Sequence, residues 1–160
     1  MLLAIRSLAR RISILQREAA ELERRLTGHI QQLAPQLLAQ QGIGPIVASQ
    51  ILVSFSHPGR VRSEAAFARL AGVAPIPASS GHTSGRHRLH RGGDRDLNRA
   101  LHVAITCRRR LDPATRAYLA HAQARGKTER DAIRLLKRYL ARHLYRLLTN
   151  PPPTTLGPCS

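Results

Sequence analysis

Apolar side chains in the first 34 residues recur in alternating steps of three and four. The repeating positions are Ile5, Leu8, Ile12, Leu15, Ala19, Leu22 and Leu26, with Leu33 one heptad beyond Leu26. This spacing is typical of a helix with an apolar seam, and a coiled coil needs a partner helix to cover that seam. Residues 1–34 are therefore predicted to form a coiled-coil stalk. An amphipathic helix that packs on its own domain is the alternative, because the repeat covers only about four heptads.

The charges beside the seam bear on the partner of this stalk. In a parallel pair of identical helices, Glu18 would face Glu23 of the second chain, and like charges at these positions repel. An antiparallel homo-oligomer or a different partner helix is therefore favoured over a parallel homodimer.

Residues that are typical of helix starts and ends recur along the rest of the chain. Pro35 ends the stalk, and residues that cap or begin helices follow at Ser63, Asp94, Pro113 and Thr128. Apolar residues recur at helical spacing after these starts, and only 3% of the chain is aromatic. The pattern predicts a mainly α domain over residues 36–149. The Pro-rich residues 150–160 are predicted to be a disordered tail.

The segment Gly42-Ile43-Gly44-Pro45 lies between a predicted short helix through Leu37 and Gln40 and a second helix through Ile46 and Leu52. This order is typical of a helix-hairpin-helix, in which glycines allow a tight turn and the first amides of the second helix hold a phosphate. Such contacts do not depend on base sequence. A plain turn between helices is the alternative, since glycine-rich turns are common.

The chain carries 26 Lys and Arg against 9 Asp and Glu, a formal net charge of +17. Arg dominates, with Lys only at Lys127 and Lys137, and the planar guanidinium matches two phosphate oxygens at once. The partner is therefore expected to be a polyanion such as DNA. An anionic membrane is disfavoured, because no basic helix has an apolar face with Trp or Phe, and no apolar run approaches the ~20 residues of a membrane span.

Two cysteines, Cys107 and Cys159, do not make a disulfide framework, and early arginines interrupt the apolar start of the chain before it could serve as a signal peptide. The expected location is the cytoplasm, in association with the nucleoid.

Residues 79–99 place hydroxyls and glycines directly before a run of arginines and histidines. Ser79, Ser80, Thr83 and Ser84 come first, and Arg86, Arg88 and Arg91 follow. Serine attacks phosphorus only when a base or an electrostatic field activates it, and guanidinium groups stabilise the charge of a phosphoryl transition state. The residues by themselves favour a flexible loop that contacts DNA over a serine nucleophile.

The last predicted helix carries two stripes. Ile133, Leu136, Leu140, Leu144 and Leu147 form the apolar stripe, and the basic stripe consists of Arg130, Arg134, Arg138, Arg142 and Arg146. Arginines four residues apart repel by about 0.2–0.5 kcal/mol per pair, so a polyanion along the basic stripe would offset a cost. A solvated basic face is the alternative.

The sequence gives little support for a metal-binding site. Asp94 and Asp131 are explained by helix capping, so paired carboxylates are not expected. A zinc site is conceivable, but its candidate ligands match no standard spacing; they are His82, His87, His90, His102 and Cys107.

Several motifs follow one another in a family-specific order: Gly42-Ile-Gly-Pro, Phe67 to Pro75, Ser80-Gly81, Arg91-Gly92-Gly93-Asp94 with Leu97, and Gly126-Lys127 before a basic helix. Over about residues 1–149 the chain resembles the C-terminal domain of the bacterial insertion-sequence transposases of the one-ten and one-sixteen group. These RNA-guided bridge recombinases use a serine nucleophile and a separate DEDD-type acidic domain.

The resemblance implies that Ser80 attacks a DNA phosphodiester and becomes linked to DNA. The expected DNA-binding residues are Gly42, Gly44, Gly81, Arg86, Arg88, Arg91, Arg95, Arg99, Lys127, Arg134 and Arg138. Two of them, Arg95 and Arg99, are expected to replace a basic group, because the family usually has Gly-Asn and Leu-Arg where this chain has Gly93-Asp94 and Leu97-Asn98. DNA is the implied partner, with a guide RNA as a further candidate.

The acidic, Mg²⁺-binding domain of the family precedes its coiled coil, whereas this chain opens on the stalk. We therefore expect an incomplete transposase that needs no cofactor of its own, with Mg²⁺ only where the acidic domain is supplied. The alternative function is a non-catalytic nucleic-acid-binding protein that dimerises through its coiled coil.

Overall fold

The structure, a computed structural model, describes residues 1–77, 87–90 and 92–151, and only the backbone of 87–89. The described part consists of helices and one pair of short strands. In chain order these are α1 (Leu2–Leu33), α2 (Pro35–Leu38), α3 (Pro45–Phe55), α4 (Glu64–Leu70), β1 (Pro75–Pro77), β2 (His87–Leu89), α5 (Arg95–Leu111), α6 (Pro113–Ala124) and α7 (Glu129–Thr149). The predicted mainly α fold is confirmed.

The predicted helix starts are confirmed by their capping hydrogen bonds. Ser63 Oγ accepts the N–H of Ala66 at the start of α4, and Thr128 Oγ1 accepts that of Asp131 at the start of α7. One cap was missed by the sequence analysis. Asp112 accepts the N–H groups of the first turn of α6, directly before Pro113. Each cap satisfies amides that a helix start leaves without a partner.

The main core lies where α3, α4, α5 and α7 meet, with the end of α1 and α2 packed against them. Three aromatic rings, Phe55, Phe67 and Tyr145, contact one another there with centroids 6.1–6.2 Å apart. The largest fully buried side chains are Phe67, Ile30, Leu37, Ile51, Leu97, Leu101 and Leu144. Of the stripe predicted on α7, Leu140 and Leu144 are buried, and the other three members are half-buried.

Helix α1 packs on this core only through its last turns. Ile30 and the following Ala34 are 2% and 1% exposed, whereas Leu33 is 75% exposed. The seam residues Ile5, Leu8, Ile12, Leu15 and Leu22 are 53–61% exposed. The alternative in which the whole helix packs on its own domain is therefore wrong, because the seam runs beyond the core. A partner for the seam stays a prediction.

Strands β1 and β2 pair antiparallel, with Ile76 opposite Arg88. This strand pair was not predicted from the sequence. The short helix expected through Gln40 is also shorter than predicted, since α2 ends at Leu38. The helix-hairpin-helix stays a prediction.

Candidate nucleic-acid interface

The base of the β1–β2 pair is fixed by a close approach of two glycines. A Cβ on Gly93 would lie 2.5 Å from the Gly72 nitrogen and 2.8 Å from the Leu70 carbonyl oxygen. Gly72 itself has φ +67°, a left-handed conformation that glycine adopts without steric cost. The next amide, that of Asp94, donates to the Leu70 oxygen at 2.7 Å. The residues before β1 and after β2 are thereby joined.

The carboxylate of Asp94 accepts three hydrogen bonds from other parts of the protein. Its Oδ1 accepts the N–H groups of Asp96 and Leu97 at the start of α5, and its Oδ2 accepts the buried Ser54 hydroxyl at 2.6 Å. Desolvation alone would raise the pKa of Asp94, but these hydrogen bonds and the charge of Arg60 outweigh it and hold the pKa below its ordinary value. The acid that departs from the family pattern is therefore a helix cap that ties α5 to the end of α3.

Asn98, the second departure from the family pattern, joins three elements. Its amide nitrogen donates to the Ala71 carbonyl oxygen at 2.6 Å, and its amide oxygen accepts from Lys137 Nζ of α7 at 2.8 Å. Burial, and then the positive charge of Arg134, lower the pKa of Lys137. A cation on α7 is therefore held at the base of the strand pair. Sequence reasoning missed this lysine, although it is one of only two in the chain.

Three arginines of the basic stripe predicted on α7 form ion pairs with acidic residues. Arg134 pairs with Asp131 at 2.9 Å. Arg142 and Arg146 both reach Glu64 at the start of α4, with Nε to Oε distances of 2.8 Å and 3.3 Å. The repulsion expected along this stripe is therefore offset partly within the chain. Arg130 is exposed and Arg138 half-buried, and no ion pair of either occurs within the described ranges.

The structure brings Gly42, Gly44 and Arg99 to one groove of about 430 Å³, which also contacts Glu23 of α1 and Asp96 of α5. Arg99 pairs with Asp96 at 3.0 Å. A Cβ on Gly42, whose φ is +79°, would lie 2.7 Å from the Ala104 oxygen, whereas one on Gly44 would meet nothing within 4 Å. Close packing on α5 thus explains Gly42, while Gly44 stands open at the start of α3.

The other predicted site residues are spread along the chain. Arg95 is exposed in the first turn of α5, and Lys127 is exposed in the turn before α7. Arg88 lies on β2, where only its backbone is described. Four predicted residues lie outside the described ranges; they are Ser80, Gly81, Arg86 and Arg91.

The acidic groups do not form a metal site. Asp94, Asp112 and Asp131 cap helices, and Glu21 and Glu64 each pair with two arginines. Among the described residues, no group of three or more His, Cys, Asp and Glu is placed to hold a metal ion. The carboxylates of this chain therefore do not fit a Mg²⁺ site. Nor does any helix of the described ranges have the length and apolar character to cross a membrane.

Comparison with known proteins agrees with the motif order. Residues 34–120 match the family model described as "Transposase IS116/IS110/IS902 family". The chain belongs to this family. It is 32% identical over 133 residues to the 43.6 kDa protein of insertion element IS110 from Streptomyces coelicolor, an alignment that covers 83% of this chain and 33% of the relative. It is also 32% identical over 115 residues to the 42 kDa protein of insertion element IS900 from Mycobacterium paratuberculosis, covering 70% and 28%.

The IS110-family chain thus spans about a third of the length of the curated relatives it matches. The matched range includes the Gly42 turn, the strand pair and α5, and ends within α6. Stalk α1 and the arginine-rich α7 lie outside it.

Proposed function

We propose that this chain is the nucleic-acid-binding portion of an insertion-sequence transposase, and that Ser80 is its nucleophile toward DNA. The observation that carries the proposal is the cation cluster at the base of the strand pair. Lys137 contacts Asn98, Arg134 lies close to Lys137, and the strand pair of residues 75–77 and 87–89 connects this cluster to residues 78–86. That stretch contains the serine and glycine implied by the family resemblance.

The chemistry required is a transesterification. The Ser80 oxygen forms a bond to a DNA phosphorus while a phosphorus–oxygen bond to deoxyribose breaks. The hydroxyl proton is lost to solvent, and the released deoxyribose oxygen takes one up. Negative charge develops on the phosphate oxygens, where arginine forks stabilise it. Arg86, Arg88 and Arg91 are the proposed phosphate clamps.

Phosphate contacts away from the reaction are assigned to exposed arginines and to the turn before α3. Arg95 and Arg99 on α5, with Lys127 and the α7 arginines, supply charge that is independent of base sequence. Gly44 leaves the start of α3 open, which favours backbone contact with a phosphate there. Gly42 supports this turn through its packing on α5.

The nucleophile is tested with a DNA substrate that traps a covalent adduct. The 160-residue chain is mixed with a nicked duplex, Mg²⁺ and the acidic domain of a relative supplied as a separate chain. Wild-type protein is expected to form a protein–DNA adduct that Ser80→Ala abolishes and Ser79→Ala retains. An adduct of equal yield with Ser80→Ala would show that another residue attacks.

The binding surface is tested by salt dependence. The logarithm of duplex affinity should fall with log salt by about 0.9 per phosphate neutralised. Arg138→Ala should weaken binding to unrelated sequences equally and reduce that slope by about 0.9. A loss confined to one sequence would indicate base readout instead, and an unchanged slope would remove Arg138 from the surface.

A further inference from the structure

The loop between α3 and α4 forms a pocket that none of the predicted site residues lines. Arg60, Val61 and Arg62 of the loop and Ala66 and Leu70 of α4 surround a volume of about 340 Å³. This volume is at the small end of the ~300–1,000 Å³ found for ligand pockets. Its lining combines two arginines with three apolar residues and includes no acid.

The two arginines differ in how they are held. Arg60 Nη1 donates to the Ser54 carbonyl oxygen at 2.7 Å, which fixes its guanidinium against the end of α3. Arg62 is exposed, and no ion pair of it occurs in the described part of the chain. One cation is therefore pre-oriented, while the other is free to close on a ligand.

The loop backbone is held in an unusual conformation. Ser56, the residue after α3, has φ 64° and ψ −78°, and the His57 amide donates to the Phe55 oxygen at 3.0 Å. This is a γ-turn with a positive φ at a residue other than glycine, which is rare and strained. Such strain persists only where the surrounding structure enforces it. At the other end of the loop, the Tyr145 hydroxyl donates to the Val61 oxygen at 3.1 Å.

The pocket adjoins the base of the strand pair. Leu70 lines the pocket, and its carbonyl oxygen accepts the Asp94 amide and lies close to Gly93. The charge of Arg60 also acts on Asp94. Asp94 does not line the pocket, whose two charged residues are both arginines.

From this geometry we infer that the pocket between Arg60 and Arg62 binds one unpaired nucleotide of a nucleic-acid strand. The base lies on the apolar floor formed by Val61, Ala66 and Leu70, and the guanidinium groups contact the base plane and its phosphate. Arginine planes stack on unpaired bases much as aromatic rings do. No aromatic residue lines this pocket, so the arginines would supply the stacking surface there. The inference rests on the proposed function.

The experiment compares three ligands that differ only at one position. They are a perfect DNA duplex, the same duplex with one extrahelical adenine, and the same duplex with an extrahelical abasic site. Binding of the full chain is measured by fluorescence anisotropy at fixed salt, and the set is repeated with RNA duplexes to identify which strand type the pocket accepts. The extrahelical adenine should raise wild-type affinity about ten-fold, a typical gain from stacking one base. The abasic ligand should behave like the perfect duplex.

Three variants locate the effect. Arg62→Ala removes the free cation, and Ala66→Leu fills the pocket without changing any charge. Both should reduce the preference for the extrahelical adenine to less than about three-fold, since each removes part of the stacking contact. Arg69→Ala is the matched control, because Arg69 is an exposed arginine of α4 that does not line the pocket. It should weaken all three ligands alike and keep the preference. Thermal unfolding confirms that each variant is folded.

The outcomes separate the inference from the proposed function. Tight, salt-dependent duplex binding with no preference for the adenine would overturn the pocket and leave the proposed function standing. Equal preference for the abasic site would also overturn it, because the effect would then come from duplex flexibility. Failure of the wild-type chain to bind any of the nucleic acids would refute the proposed function together with the inference.

Discussion

Glu64→Gln should increase the affinity of this protein for duplex DNA and make binding more sensitive to salt. Glu64 neutralises two arginines of α7 at once, through contacts of 2.8 Å to Arg142 and 3.3 Å to Arg146. The arginine side chains are 44% and 61% exposed, whereas the glutamate is 27% exposed. The carboxylate therefore competes with phosphate for guanidinium groups that solvent already reaches. Glutamine keeps the shape of the side chain and removes its charge.

The magnitude follows from counterion release. Two arginines freed to contact two phosphates would steepen the log–log salt slope by up to about 1.8. The affinity advantage of the variant over wild type should then shrink about twelve-fold between 50 and 200 mM salt. Stability should change little, because exposed ion pairs contribute about 1 kcal/mol or less each. The assay is a salt titration of duplex binding, with thermal unfolding measured in parallel.

Glu21→Gln is the matched control for this experiment. Glu21 also pairs with two arginines, Arg24 and Arg25, but on α1, so both variants raise the net charge by one. A steeper slope in Glu64→Gln alone would place the phosphate-binding surface along α7. Equal slopes in both variants, or no change from wild type, would refute the idea that Arg142 and Arg146 extend this surface.

Two further perturbations test the scaffold of the site. Gly93→Ala would place a Cβ 2.5–2.8 Å from backbone atoms of Gly72 and Leu70, and should lower the free energy of unfolding by about 1–3 kcal/mol in chemical denaturation. Gly92→Ala is the control and should cost much less, because its Cβ would meet only the His90 ring at 3.3 Å. Equal losses in the two variants would contradict the packing at the strand base. Burial, and then Arg108 and Arg146, lower the pKa of His143, so the unfolded chain binds a proton more readily and stability should fall as the pH drops below about 6.5. His143→Asn should remove part of that decline, and identical pH profiles of the melting temperature would refute the assignment.

Local rules explain why so much of the helical framework was predictable. A cap such as Ser63 or Thr128 and the amide it accepts are three residues apart, so the sequence alone contains both partners. The apolar face of α5 is likewise a matter of spacing, since Leu97, Leu101, Ala104 and Ile105 recur at helical intervals and are all buried. The order of short motifs was equally visible, and it identified the family before any contact was known.

The interpretation of single residues failed where distant partners decide their role. Compared with the family pattern, Asn98 replaces a basic residue and Asp94 adds a negative charge, and helix capping was the structural role that the sequence indicated for Asp94. In the structure, Asn98 accepts from Lys137, 39 residues away, and Asp94 accepts from Ser54, 40 residues away. Neither partner is indicated by spacing, because side-chain contacts across helices depend on how the whole core packs.

The sequence by itself determined where helices begin, which faces they bury, that the chain is strongly basic and to which family it belongs. Only the tertiary structure decided that Glu64 pairs with Arg142 and Arg146 of another helix, which glycine is pressed against a neighbouring backbone, and which basic residues share a pocket. The physical reason is the distance along the chain over which each interaction acts. Capping, periodicity and ion pairs within one helix act within a few residues, whereas ion pairs between helices and close packing join residues that only the assembled core brings together.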